Sequence, residues 1–279
     1  MEPADRADAM AADDPGGDAP GGAVDQAPDG MTVARAPDGE DAGLDAPLLE
    51  RLATIYRRLR TYCRLRADGL EHVPREGPAI LVANHTGWLG LDYALTALSV
   101  HDASGRYVRG MVHDAWFRTR ATSDFARRVG LFRISKEAMR GQLAADRLVM
   151  VFPEGEKGAF RPGSDYTLET FARGFVRVAM ETGASIVPVC ILGGEEANPV
   201  RLRLDSYEAL LSLPLPVPRN LLPRPVKWRI RFLAPVAMDA YAPSDAADRE
   251  AVHRLCDDVR DRIQRSLRAM IVERGHPYL

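Results

Sequence analysis

An α/β fold with a mostly parallel, mixed sheet flanked by helices is predicted by two features of the sequence. Short apolar runs alternate with longer segments of helical periodicity. Polar, glycine-bearing segments follow three of those runs directly, the place where open α/β sheets bind their ligands.

The elements follow in order. Leu48, Leu49, Leu52, Ile55, Tyr56, Leu59, Tyr62 and Cys63 recur at three- and four-residue steps. They predict an amphipathic helix over 47–66, with Arg51, Arg57, Arg58, Arg60, Arg64 and Arg66 mostly on its other faces. Ala79–Ala83 predicts a buried strand, Leu91–Val100 a helix, Tyr107–Val112 a strand and Ala115–Val129 a helix. Leu131–Ile134 reads as a strand, Lys136–Ala145 as a helix and Arg147–Phe152 as a buried strand. Leu168–Thr182 predicts a helix stopped by Gly183. Ser185–Leu192 predicts a strand, and its Pro188 places it at an edge or at an irregular end. Val226–Leu233 and Ala247–Arg274 predict a last strand and a last helix. Residues 200–225 interrupt the rhythm. Leu210–Val217 is apolar but broken by prolines, and cations follow it. Such residues cannot pair in a regular element, which predicts a lid or a membrane-facing segment.

Charge divides the chain in two. Residues 1–46 hold twelve acidic and two basic side chains, a charge of −10, and 47–279 carry +8. The first segment is rich in Ala, Asp, Gly and Pro and has no aromatic residue. It predicts a disordered acidic tail, and 47–279 predict one domain. Cys63, Cys190 and Cys256 are too scattered for a disulfide framework or a zinc site and read as core residues. No apolar run is long enough to span a bilayer, and no secretory signal pattern opens the chain. No nucleic-acid-binding motif accompanies the basic body. The basic helix and the 200–225 segment together predict a cytoplasmic protein held peripherally on anionic lipid, at the inner face of the membrane.

Three segments carry the candidate chemistry: Asn84 to Asp92, Arg133 to Lys136, and Pro153 to Gly158. His85 beside Asp92 forms a base–orienter pair if the two meet. On a straight helix seven residues rise roughly 10 Å, too far for a hydrogen bond. The pair therefore requires a loop that folds back before the helix begins, and Gly87 and Gly90 permit one. On spacing alone the bland reading also stands: His85 packs or caps, and Asp92 merely opens a helix. His113-Asp114, at the end of a predicted strand, neighbours the same cleft.

Asn84-His85…Asp92, then Gly130-Leu131-Phe132-Arg133, then Phe152-Pro153-Glu154-Gly155, then Val187-Pro188-Val189 stand in the order found in the glycerolipid acyltransferases. Across Ala79 to Leu192 the chain resembles the lysophosphatidic acid acyltransferase type. Gly193-Gly194-Glu195-Glu196 and Pro225-Val226-Lys227-Trp228 extend the likeness to bacterial members. Six residues separate His85 from Asp92 where the family commonly has four, the mark of a longer-spaced branch. Glu156 replaces the usual small hydroxyl residue after the FPEG block, and Arg133 follows its glycine unusually soon.

The resemblance implies transfer of a fatty acyl group from acyl-CoA or an acyl carrier protein thioester to a lysophospholipid hydroxyl. No bound cofactor or metal is implied. His85 would be the general base and Asp92 its orienter. Substrate would be bound by Asn84, Gly87, Arg133, Lys136, Phe152, Pro153, Glu154, Gly155, Lys157 and Arg161. Competing classes are a thioesterase or lipid hydrolase using the same His85, and a catalytically silent lipid-binding module. No GxSxG elbow supports the hydrolase, and no further His/Asp clusters support a metal phosphoesterase.

Overall fold

The computed structural model describes residues 43–86, 90–159, 165–204, 215–218, 220 and 222–278. Its main sheet has seven strands: β1 (Arg66–Asp68), β2 (Ala79–Ala83), β3 (Val108–Val112), β4 (Leu131–Arg133), β5 (Leu148–Val151), β6 (Ser185–Leu192) and β9 (Arg229–Phe232). They lie in the order β1-β9-β6-β2-β5-β3-β4, and only the β6–β9 pair is antiparallel. The predicted mostly parallel, mixed sheet is therefore the observed one.

Both faces of the sheet are covered, so its central strands read as continuous apolar runs. Ile80 and Val82 of β2 turn to one face. There they meet α4 (Lys136–Ala144), α6 (Gly174–Thr182) and the closing helix α8 (Arg249–Arg274), through Met139, Phe175, Val259 and Ile263. Ala79, Leu81 and Ala83 turn to the other face, against α2 (Leu91–Ser104) and Trp228. The alternation is the two-residue period of a strand.

Helix α1 (Ala46–Tyr62) is shorter than its apolar stripe predicts. Arg64 adopts a left-handed φ of 46°, and Arg66 instead enters β1, its N–H bonding the Trp228 carbonyl. At the other end Asp45 belongs to the body rather than to a tail. Its carboxylate caps Leu48 N–H at 2.8 Å and pairs with Arg128. Residues 1–42 lie outside the described residues. The predicted helix over Ala115–Val129 divides into a 3-10 turn at Asp114–Phe117 and α3 (Arg120–Arg128), capped by Thr119.

The helix expected from Leu168 begins only at Gly174. The backbone donors ahead of it are engaged elsewhere. Leu168 N–H bonds Gln264, Glu169 N–H bonds Glu154, and Ala172 N–H bonds the Pro153 carbonyl. β6 is not an edge strand. It lies between β9 and β2, and Pro188 sits where the β6 register slips by one residue, between Val189↔Phe232 and Ile186↔Val236. Its missing N–H falls at that irregularity. Within 200–225, β7 (Val200–Leu204) and β8 (Leu215–Pro218) pair as an antiparallel two-stranded sheet, so part of the proline-broken run does enter a regular element. Residues 205–214, 219 and 221 of that segment lie outside the described residues.

Candidate active site

β2 runs between β5 and β6, so the segments leaving the carboxyl ends of all three strands converge. β2 releases Asn84, His85 and Thr86. β5 releases Phe152, Pro153 and Glu154, and β6 releases Gly193 and the short helix α7 (Gly194–Ala197).

Asp92 is the fully buried centre of this convergence. Its Oδ2 lies 2.5 Å from His85 Nδ1 and accepts from Thr86 N–H at 3.0 Å, while Oδ1 accepts from Tyr93 N–H at 2.8 Å. The fold-back this requires happens just before α2. Gly90 takes the left-handed φ of 66° at the helix start, leaving Asp92 in the first turn. A carboxylate there also meets the positive end of the helix dipole. His85 Nδ1 thus faces the carboxylate, and the ring stacks on Phe152 with centroids 4.3 Å apart. The side chain keeps 22 % exposure. Such an imidazole is oriented, supported against charge development, and open to a reactant.

The backbone beneath the ring is also fixed. Glu154 is buried, and its two oxygens accept from His85 N–H at 3.0 Å and Glu169 N–H at 2.9 Å. One carboxylate therefore joins the His85 loop to the segment before α6. Asn84 is buried with its amide spent on β6: its Nδ2 donates to the Ile191 carbonyl at 2.9 Å and its Oδ1 accepts from Ile191 N–H at 2.7 Å. It clamps two strand ends. Gly194 passes so close that an added Cβ would stand 2.4 Å from the Thr86 carbonyl oxygen. Only glycine permits that approach.

The remaining predicted residues divide. Pro153 is buried and Gly155 opens α5 (Gly155–Ala159), on which Lys157 is exposed. Arg133 lies elsewhere along the sheet's carboxyl edge, bonded to Asp114 at 2.9 Å with its guanidinium 4.7 Å from the Phe117 ring centroid. Lys136 is not gathered with the pair's direct partners. It lines a cavity of about 350 Å³ with Arg177, Glu181 and Ser244. Gly87 and Arg161 lie outside the described residues. His113 approaches Glu156 at 3.9 Å, and burial holds its imidazole below the usual range.

Burial pushes the thiols of Cys190 and Cys256 up to about 12 and that of Cys63 up to about 11, which suits core residues rather than nucleophiles. Among the described residues no His/Cys/Asp/Glu group is arranged to hold a metal. Sequence reasoning missed Tyr166, Gln264 and Arg274 around this site, and it assigned no role to Thr86, inside the Asn84–Asp92 segment, or to Glu196, inside the Gly193–Glu196 block. Thr86 is adjacent to His85 but carries no motif signal, and the others reach the site only through the tertiary fold.

Residues 64–192 match the family model described as Acyltransferase. An uncharacterised protein of Mycobacterium tuberculosis is 35 % identical over 249 residues, spanning 85 % of this chain and 69 % of that protein. A chloroplastic phytyl ester synthase of Arabidopsis thaliana is 29 % identical over 148 residues, 50 % of this chain and 21 % of that enzyme. The crystal structure of the 1-acyl-sn-glycerophosphate acyltransferase of Thermotoga maritima superposes with a TM-score of 0.56 at 17 % identity, covering 80 % of this chain and 79 % of that one. That last match is one of fold. The matched segment spans His85, Asp92 and Glu154, so residues 64–192 of the chain are similar to the acyltransferase family over the stretch that holds the candidate site.

Proposed function

We propose that the protein transfers a fatty acyl group from an acyl thioester, acyl-CoA or acyl carrier protein, to a hydroxyl of a lysophospholipid such as lysophosphatidic acid. The observation that carries this reading is the 2.5 Å contact of His85 with buried Asp92. With Nδ1–H held by the carboxylate, Nε2 is left as the base. It takes the proton of the acceptor hydroxyl as that oxygen attacks the thioester carbonyl. The tetrahedral adduct collapses, the C–S bond breaks, and the proton passes from Nε2 to the departing sulfur. An ester and a free thiol result, with no acyl-enzyme.

The test is thiol release from palmitoyl-CoA, with and without lysophosphatidic acid. Release that depends on the acceptor is expected, with a phosphatidic acid product. Equal release without acceptor would replace transfer by hydrolysis.

The reaction belongs, in this reading, at an anionic membrane surface on the cytoplasmic side. Among the described residues no helix is long and apolar enough to cross a bilayer. α1 buries none of its residues, leaving Ile55 60 % and Tyr62 48 % exposed beside exposed Arg51 and Arg58. The Tyr62 hydroxyl bonds the Pro223 carbonyl, which brings Leu222, 81 % exposed, into the same region. Exposed apolar groups rimmed by guanidinium groups suit an interface with anionic lipid. Co-sedimentation with phosphatidylglycerol vesicles is expected to weaken as salt rises and to fall several-fold in Ile55→Glu/Tyr62→Glu. Binding unchanged by both would remove α1 from the interface.

A further inference from the structure

We infer that Tyr166, held by Glu196 and Arg274, is a positioning residue that fixes the Gly193–Gly194 backbone behind the His85–Asp92 pair. The inference rests on His85 as the general base.

The chain of contacts is continuous. Arg274 Nη2, at the end of α8, donates to Glu196 Oε1. Tyr166 donates its hydroxyl proton to Glu196 Oε2. The same hydroxyl oxygen accepts from Gly193 N–H at 2.6 Å. Gly194 then lies against the Thr86 carbonyl, and Thr86 N–H bonds Asp92 Oδ2, the oxygen that faces His85 Nδ1. On its other side this segment is tied to β2 by the Asn84–Ile191 clamp. Residues 191–196 are thus held from two directions, and Gly194 between them lies against Thr86, the residue whose N–H completes the Asp92 site.

Stability alone does not explain the arrangement. A buried ion pair is commonly no better than apolar side chains of the same volume. Two further nitrogens of Arg274, Nε and Nη1, are buried without a partner among the described residues. Tyr166 itself takes a left-handed φ of 54°. Gln264 enforces that backbone by donating to the Tyr166 carbonyl at 3.0 Å and accepting from Leu168 N–H at 2.7 Å. Unfavourable local features of this kind persist where the surroundings require one geometry. Burial, with Glu196 and Glu195 nearby, raises the phenol well above its usual range, so it remains a donor. The sequence distance is long, 30 residues from Tyr166 to Glu196 and 78 from Glu196 to Arg274. No local pattern announces it.

The experiment has one readout that needs no substrate. The His85 Nδ1 proton, bonded to Asp92, should give a strongly deshielded proton resonance, assigned by its loss in His85→Ala. In Tyr166→Phe and Glu196→Ala this resonance is expected to shift or broaden, with kcat for acyl transfer falling about 10- to 100-fold. KM is expected to change far less. Glu196→Gln keeps one acceptor oxygen, which can take Arg274 or the Tyr166 hydroxyl but not both, and should recover only part of the resonance and rate lost in Glu196→Ala. An unmoved resonance in folded Tyr166→Phe, or the absence of a His85-dependent resonance in the wild type, overturns the inference. So does failure of all three variants to fold, which would make the network purely structural. A wild type that resonates as expected yet transfers no acyl group would sink the proposed reaction and leave the positioning role standing.

Discussion

His85→Ala is expected to lower acyl transfer by about 10²–10⁴-fold while the protein remains folded. The rate loss follows from removing the only imidazole that joins Asp92, among the described residues. The fold survives because His85 holds its loop through its backbone rather than its ring. The backbone N–H still reaches Glu154 Oε1, and Asp92 still accepts from Thr86 and Tyr93. What is lost is one of three donors to a buried carboxylate and a stacking contact with Phe152. That amounts to about 1–3 kcal/mol, within the margin of an ordinary protein. Thiol release read beside a thermal melt separates the two effects. Transfer within threefold of wild type would remove His85 from the mechanism.

The order of elements was legible because the sheet is buried on both faces. β2 and β5 show it as uninterrupted apolar runs, and the helices between them as three- and four-residue stripes. The candidate pair was legible for a different reason. Gly87 and Gly90 permit the fold-back, but spacing alone leaves His85 and Asp92 open to a bland reading, and it is the resemblance of the Asn84-His85…Asp92 and Phe152-Pro153-Glu154-Gly155 blocks to the acyltransferases that singles the pair out.

Where partners come from far along the chain, that legibility ends. Leu168 looks helical by its apolar spacing, yet its N–H is claimed by Gln264 from α8, 96 residues away. Pro188 looks like an edge residue until β9 supplies the one-residue slip that tolerates it. Arg133 and Lys136 look alike as cations following a strand. The fold gives the first to Asp114 and Phe117 and places the second in another cavity with Arg177. The partner of a surface cation is set by tertiary geometry, which neither propensity nor periodicity encodes.

Asp92→Asn separates orientation from charge and is expected to show both a rate loss and a stability loss. The carboxylate accepts on two oxygens: His85 and Thr86 on Oδ2, Tyr93 on Oδ1. An amide offers one acceptor oxygen and one donor group. If its oxygen takes the Oδ2 place, His85 and Thr86 are satisfied and the amide N–H₂ opposes Tyr93 N–H. Flipped, it opposes two donors instead of one. The first orientation therefore wins, at the cost of two facing buried donors without an acceptor, Tyr93 N–H and the amide N–H₂, about 1–3 kcal/mol each. His85 then keeps its tautomer and its aim. It loses the negative charge that stabilises the imidazolium formed as the acceptor hydroxyl gives up its proton. At Coulombic distances below 4 Å in a buried setting that charge is worth several kcal/mol, so transfer should fall about 10²–10⁴-fold. KM should stay within a few-fold, because the interaction strengthens only as the proton moves. A melt lowered by several degrees with kcat unchanged would assign Asp92 to the fold alone. A lost kcat with the melt unchanged would mean that Tyr93 N–H had found another acceptor, and Asp92 would keep its catalytic part.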